Sequence, residues 1–280
     1  PEPNGYRNPA VVRDLNPAAA NGRGEMLNAR TPEEISSRMT DVIEVVIETE
    51  GTAAAVTFNT GLLSSDSVVY QAKLDSEDWS GFLTASDLDP LTGDVSPTPA
   101  WEAADLIPTE SARQIATFDG DGVAFRDVAD LTATQLADLS SNLPGSTTAQ
   151  DVIDYLRGDR TNESDTLFRE RSPRTLLGDI VHSGPVFVGE PTSDWPSVAP
   201  FPTGTDAYST YKQGTAASRR PAVYVGANDG MLHGFWGDTG QPGSGSEFVA
   251  YIPDALFSNT AGEGLHALTE QGYVHRYYVD

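Results

Sequence analysis

Ala222-Val223-Tyr224-Val225-Gly226-Ala227-Asn228-Asp229-Gly230-Met231-Leu232-His233-Gly234-Phe235 is the stretch that decides the fold. β-Branched and aromatic residues stand on both sides of Asn-Asp-Gly, the strongest short-range hairpin signal a sequence carries. Val223 to Val225 is therefore expected to pair antiparallel with Met231 to Phe235 across a tight turn, since Asn, Asp and Gly tolerate the positive φ that twisted hairpins use. An echo lies upstream. Gly184-Pro185-Val186-Phe187-Val188-Gly189 and Pro221-Ala222-Val223-Tyr224-Val225-Gly226 share the order proline, aromatic, valine, glycine, so Ile180 to Val188 belongs in the same blade or the next. Hairpins repeated with Gly-punctuated turns are how radially arranged blades look in sequence.

Working outward, short candidate strands recur at Ala53 to Asn59, Ser67 to Leu74, Gly81 to Asp87, Arg113 to Phe118, Val123 to Arg126, Ile180 to Gly189, Glu247 to Ile252 and Tyr273 to Val279. Each is bounded by Gly, Asp, Asn, Ser or Pro. Two helical insertions interrupt them: Leu131 to Leu139, opening at Thr132, and Thr148 to Leu156. Upstream, Thr31-Pro32-Glu33-Glu34 supplies a cap, a first-turn proline and an acidic third position, and Ile35, Met39, Val42 and Val46 follow at helical spacing. Val42 to Ile47 is also dense enough in β-branched residues to read as a strand. Residues 1 to 30 lack periodicity. Asp87 to Ala100 and Glu190 to Arg220 are loops, the second carrying four prolines and several aromatics.

The 280 residues hold 17 Lys+Arg against 41 Asp+Glu, a formal net charge of −24, with 38% hydrophobic residues. Enough apolar side chain is present for a substantial core. The charge repels a phosphate backbone, and with lysine only at Lys73 and Lys212 no basic patch counters it, so nucleic acid is excluded as a partner. The bland reading of the charge is a solvated surface, with the excess of Asp over Glu and Arg over Lys consistent with a salt-rich habitat. Absence of cysteine removes disulfides, thiolate metal sites and cysteine nucleophiles. No apolar run approaches a membrane span, so the chain is not expected to be membrane-spanning. The start at Pro1 and the abrupt stop at His275-Arg276-Tyr277-Tyr278-Val279-Asp280, read as a strand with an unpaired edge, suggest a fragment cut in mid-fold.

Five blocks then fall in order: Tyr70-Gln71-Ala72-Lys73-Leu74 with Trp79-Ser80-Gly81; Asp154-Tyr155-Leu156-Arg157-Gly158-Asp159-Arg160; Arg169-x-Arg171-Ser172 with Leu177-Gly178-Asp179-Ile180-Val181-His182-Ser183-Gly184-Pro185-Val186; the hairpin; and His275 to Asp280. Together they resemble the C-terminal β-propeller of PilY1-type proteins, the type IV pilus tip adhesins and biogenesis factors also known as the neisserial PilC family. The resemblance covers residues from about 53 to 280. It implies a mainly β fold: an incomplete, quinoprotein-like propeller over residues 51–280 with helical insertions. Residues 1–50 would be the tail of, or linker from, an upstream von Willebrand A-like domain, with residues 31–50 its junction helix. That domain's Asp-x-Ser-x-Ser metal motif does not occur here, and the family's calcium loop follows the His-Arg-Tyr block beyond Asp280. Calcium is thus implied only for regions outside this stretch, and no cofactor is expected within it.

Chemistry within the chain is sparse. Asp119-Gly120-Asp121-Gly122 is the one acidic repeat suggestive of calcium, but an EF-type loop needs an oxygen ligand at its fifth position, where Val123 stands. Asp119 and Asp121 remain weak metal candidates, better explained as a hairpin turn. His182, His233, His266 and His275 lack zinc spacing; His182 and His233 read as structural imidazoles at blade edges. No nucleophile elbow occurs, and no catalytic residue is assigned. Asp159 with Arg157 and Arg160, and Asp179 with Arg169, Arg171 and Arg174, are expected to pair and anchor the helical insert. Trp79 and Trp236 are assigned to blade core. Trp195, Phe201, Tyr208 and Tyr211, on the proline-rich loop, are the candidate partner-binding residues, the alternative being a loop folded back on the rim.

The resemblance implies a non-enzymatic protein at the cell surface, at the pilus tip or outer membrane, that serves pilus biogenesis and adhesion by binding minor pilins or tip subunits and a host or abiotic surface. A quinoprotein-like enzyme and a purely structural filament subunit are the alternatives.

Overall fold

The computed structural model describes residues 55–59, 67–89 and 91–280. The expected junction helix and everything else before Ala55 lie outside the described residues.

Among the described residues, two sheets carry the fold. The first has the order β1-β2-β3-β4, with β1 Ala55–Phe58, β2 Val68–Asp75, β3 Ser80–Asp87 and β4 Trp101–Glu102, all antiparallel. β2 and β3 pair without a register break from Val68↔Asp87 to Asp75↔Ser80, and β3 is buried at every position but its last. The second sheet has the order β6-β5-β10-β9-β8-β7. Its strands are β5 Ile115–Phe118, β6 Gly122–Ala124, β7 Val186–Val188, β8 Ala222–Ala227, β9 Met231–Trp236 and β10 Glu247–Tyr251. β7 to β10 form a four-stranded antiparallel meander, the form of a propeller blade. The β5–β6 hairpin extends it through a parallel join, Ile115 opposite Ala250 and Ala116 opposite Tyr251.

The decisive hairpin forms as the residues dictate, in register from Ala222↔Trp236 to Ala227↔Met231. Its three-residue turn needs positive φ at Gly230 alone, at 91°; Asn228 and Asp229 spend their side chains on hydrogen bonds instead. Ile180 to Gly189 contributes only β7 to that sheet, because the N–H groups of Val181, His182 and Ser183 all donate to the Asp280 carboxylate rather than to a strand. Tyr273 to Val279 is likewise not a strand. Tyr278 N–H donates to Asn228 Oδ1, so the segment crosses the hairpin turn as irregular chain, and the unpaired strand edge expected there does not exist.

One core unites the two sheets: Val68, Tyr70, Leu83, Ala85 and Trp101 from the first, Val223, Val225 and Phe235 from the second, with Leu177 and Ile180 between them. Full burial of each such aliphatic or aromatic side chain contributes about 1.5–3 kcal/mol. Polar ends within this core are paired: Trp101 Nε1 donates to Asp238 O at 2.8 Å and the Tyr70 hydroxyl to Gly237 O. A second core packs the insertions on the sheet, joining Ile115, Phe125, Met231, Ala250 and Ile252 to Leu139, Val152, Ile153, Tyr155 and Phe168. Two helices supply it, α1 Ala133–Leu139 and α2 Ala149–Arg157. Each opens with a complete capping box, Thr132 with Gln135 and Thr148 with Asp151, which satisfies the first orphan N–H groups reciprocally.

The Glu190 to Arg220 loop holds a short helix the periodicity did not disclose, α3 Tyr208–Gln213. Trp79 is not core: it ends the β2–β3 turn with φ 56° and is 43% exposed. Trp236 is half-buried, its ring 4.1 Å from that of Phe248 with the Arg220 guanidinium above it.

Candidate functional site

Glu247 begins β10 and His233 sits mid-β9, so their side chains meet inside the sheet, and the chain entering β5 brings Arg113 to the same point. Arg113 Nε and Nη2 reach Glu247 Oε2 and Oε1 at 2.7 and 2.8 Å, a bidentate pair with both side chains buried. Glu247 Oε1 also lies 2.8 Å from His233 Nδ1, and His233 Nε2 is 3.1 Å from both Asp229 oxygens. Between two carboxylates, which only accept, both ring nitrogens must donate, so His233 is an imidazolium. Burial by itself pulls its pKa down, but Asp229 and Glu247 outweigh that and raise it to about 9. Burial likewise disfavours ionised Glu247, and the His233 and Arg113 hydrogen bonds overcome it, lowering the carboxyl to about 2.

The chain of charge continues at both ends. Toward the helical insert, Arg113 Nη1 donates to the carbonyl of Arg157, whose own guanidinium donates to the carbonyls of Phe125, Glu110 and Arg113. Toward the other face, Asp229 Oδ2 accepts Gly178 N–H at 3.2 Å, and the next residue, Asp179, accepts from Asn228 Nδ2 at 2.7 Å and from His275 Nε2 at 2.8 Å. Burial raises the Asp179 carboxyl pKa despite these partners. The His275 ring stacks on Trp79 with centroids 3.8 Å apart, and Tyr277 stands edge-on to it. Backbones touch here. A Cβ on Gly178 would lie 2.4 Å from Asp229 N, and one on Gly226 would lie 2.2 Å from Val279 O, so glycine at both positions is what lets the chain cross.

These groups are donors and acceptors for one another. The cavity beside them, lined by Asp78, Trp79, Ser80, Gly178, Asp179 and Asn228 among others, is about 40 Å³, room for no more than about three water molecules. Among the described residues, no group of three or more His, Asp or Glu is placed to hold a metal ion. Asp119 and Asp121 occupy the β5–β6 turn, where Asp121 N–H donates to Asp119 Oδ1 at 3.0 Å and Gly120 takes φ 117°.

The expected arginine pairs are redistributed. Arg160 and Arg171 pair with Glu163, Arg157 with Glu110 and Arg174 with Asp75, while Asp159 caps Thr161 and Asp179 takes His275. Glu163 takes both Arg160 and Arg171, while Arg157 and Arg174 find acids 47 and 99 residues away, a pairing that no local spacing discloses. His233 is a buried, fully bonded imidazole, but on the interior strand β9 rather than at a blade edge; His182 is exposed, its ring 5.1 Å from that of Tyr277. The network around Glu247 was missed because its members are spread over residues 113 to 247 with no local spacing.

The four candidate partner-binding residues form two pairs on the surface loop. Trp195 is 54% exposed with Phe201 5.9 Å away, and Tyr211 is 45% exposed with Tyr208 5.9 Å away. Lys212 fixes the loop by donating to the carbonyls of Thr192 and Ser193 and to Asp194, and Ser197 bonds Ser209. Trp195 and Phe201 are both exposed on this internally braced loop.

Residues 177–280, which contain the hairpin, Asp179, His233, Glu247 and His275, match the family model of the PilY1 beta-propeller domain. The chain carries a PilY1-family propeller region. Over 241 residues it is 34% identical to a type IV pilus biogenesis factor PilY1 homolog of Xylella fastidiosa, covering 84% of this chain and 17% of that protein. Over 290 aligned residues it is 33% identical to the type IV pilus biogenesis factor PilY1 of Pseudomonas aeruginosa strain PAK, covering 96% of this chain and 24% of that one. The chain therefore spans about a fifth of the length of the curated relatives it matches. No solved structure matches it. Among the described residues, no helix is long and apolar enough to cross a membrane.

Proposed function

We propose that this chain is the propeller region of a type IV pilus biogenesis factor that works by binding rather than by turnover, at the cell surface in contact with minor pilins or other tip subunits and, in adhesion, with a host or abiotic surface. The observation that carries the binding mode is the Trp195 and Phe201 pair, exposed on a loop braced by the Lys212 bonds to Thr192, Ser193 and Asp194. Large aromatics held outward lose little conformational freedom on association and are the residue types that dominate binding energies. The buried polar cluster supports the same reading from the other side: its charges are spent on one another, which suits a scaffold better than a catalytic centre. The reading extends to a quinoprotein-like arrangement of blades, with residues 1–50 joining it to a von Willebrand A-like domain and any calcium held outside this stretch.

The test is complementation with the full-length protein carrying Trp195→Ser, Phe201→Ser and Tyr211→Ser in a strain lacking its own copy. Surface pilin recovered by shearing should fall several-fold while abundance of the variant protein stays normal. Wild-type piliation and adhesion by this variant would refute the assignment of binding to the loop.

A further inference from the structure

We propose that His233 is a charge-dependent latch: its imidazolium holds Asp229 against the sheet, and loss of that charge frees Asp229, releases the Gly178 N–H that it accepts and thereby loosens the segments on either side of that contact, residues 177–183 and 273–280.

The geometry is asymmetric. Glu247 has a second cation, Arg113, and stays held when His233 is neutral. Asp229 has only His233 for a counter-charge among its bonds; its other partners are the N–H groups of Gly178 and Met231. A neutral imidazole keeps one proton, so one carboxylate must then face a bare ring nitrogen, and two acceptors in contact repel. Asp229 yields, since its side chain is 18% exposed and can turn to water, whereas that of Glu247 is 1% exposed. Among the described residues, the groups facing the ring are Asp229 from the β8–β9 turn, Glu247 from β10 with Arg113 behind it, and Phe235 of β9 stacked at 5.8 Å. Arg157 of α2 touches the backbone of Arg113 and not the ring.

What Asp229 anchors is specific. Gly178 loses its carboxylate, and its neighbour Asp179 is the residue that holds His275 and Asn228; Asn228 in turn holds Tyr278. Deprotonation inside β9 is thereby transmitted to the Trp79–His275 stack at the surface. The state is set by pH with a definite sign: the charge is favoured by folding, so the latch weakens as pH rises above the ordinary histidine range and is lost as pH passes about 9.

Hydrogen exchange of the full-length protein, read by mass spectrometry at pH 7 and pH 9.5 and corrected for the intrinsic rate, tests this. Peptides covering 177–183 and 273–280 should exchange at least ten-fold faster at the higher pH, while β8 and β9 stay protected. His233→Gln should show the fast exchange already at pH 7, and Asp229→Asn should remove the pH step. Equal corrected rates at both pH values in the wild-type protein, or loosening of β8 and β9 together with these segments, would overturn the latch; the wild-type comparison decides even if a variant does not fold.

Discussion

Arg113 and Glu247, 134 residues apart in sequence, meet as a bidentate ion pair with both side chains withdrawn from water. Such a pair adds little over an apolar replacement of both partners, but removal of one leaves a charge buried without compensation. In this protein the deficit is doubled, because Glu247 serves His233 as well.

Glu247→Ala should therefore destabilise the chain by about 3–5 kcal/mol, and Arg113→Ala by a similar amount. Urea titration with a common slope would show it as a shift of midpoint. A loss below 1 kcal/mol for both would mean that water reaches the cluster.

Stability should have a plateau bounded on two sides by this cluster. Glu247 is depressed to about 2, so its contribution is present above the ordinary glutamate value and lost as pH falls toward 2. His233 is raised to about 9, so its contribution is full below the ordinary histidine value and lost as pH rises through 9. Melting temperature measured from pH 3 to 10 should be highest between about 4.5 and 6.5. His233→Gln should flatten the alkaline limb.

The turn glycine has two reasons to resist substitution. Gly230 has φ 91°, and a Cβ there would sit 2.9 Å from Leu265 Cδ2. Gly230→Val should cost about 2 kcal/mol or more from backbone strain before any packing loss, measurable by thermal denaturation. Gly120→Ala, with positive φ but open space around it, should cost no more than about half as much.

The capping boxes give a smaller, cleaner effect. Thr132→Ala and Thr148→Ala each remove one side-chain acceptor from a helix N-terminus and should each cost about 1 kcal/mol. Being in different helices, they should add.

What the sequence disclosed follows from the range of the forces involved. The β8–β9 hairpin and both capped helices are local, written in turn chemistry and periodicity within a dozen residues, and they form where expected. The stretch before β7 and the course of residues 273–280 were illegible, because the N–H groups of residues 181–183 go to the Asp280 carboxylate and that of Tyr278 to Asn228 rather than to a neighbouring strand. Trp79 was assigned to the core as part of a strand-turn block, yet in the β2–β3 turn it takes φ 56° and stays 43% exposed. The aromatic loop was visible as composition, while its outward pose depends on Lys212 bonding carbonyls 19 and 20 residues upstream. The Arg113–Glu247–His233–Asp229 chain had no local signature at all.

Binding through the Trp195 and Phe201 pair is the central function proposed for this propeller region. Calorimetric titration of the full-length protein with a purified minor pilin from the same pilus system, wild type against Trp195→Ala/Phe201→Ala, measures it most directly. A Kd at least ten-fold weaker for the double variant, with unchanged melting temperature, is the predicted result, and equal affinity of the two proteins would contradict it.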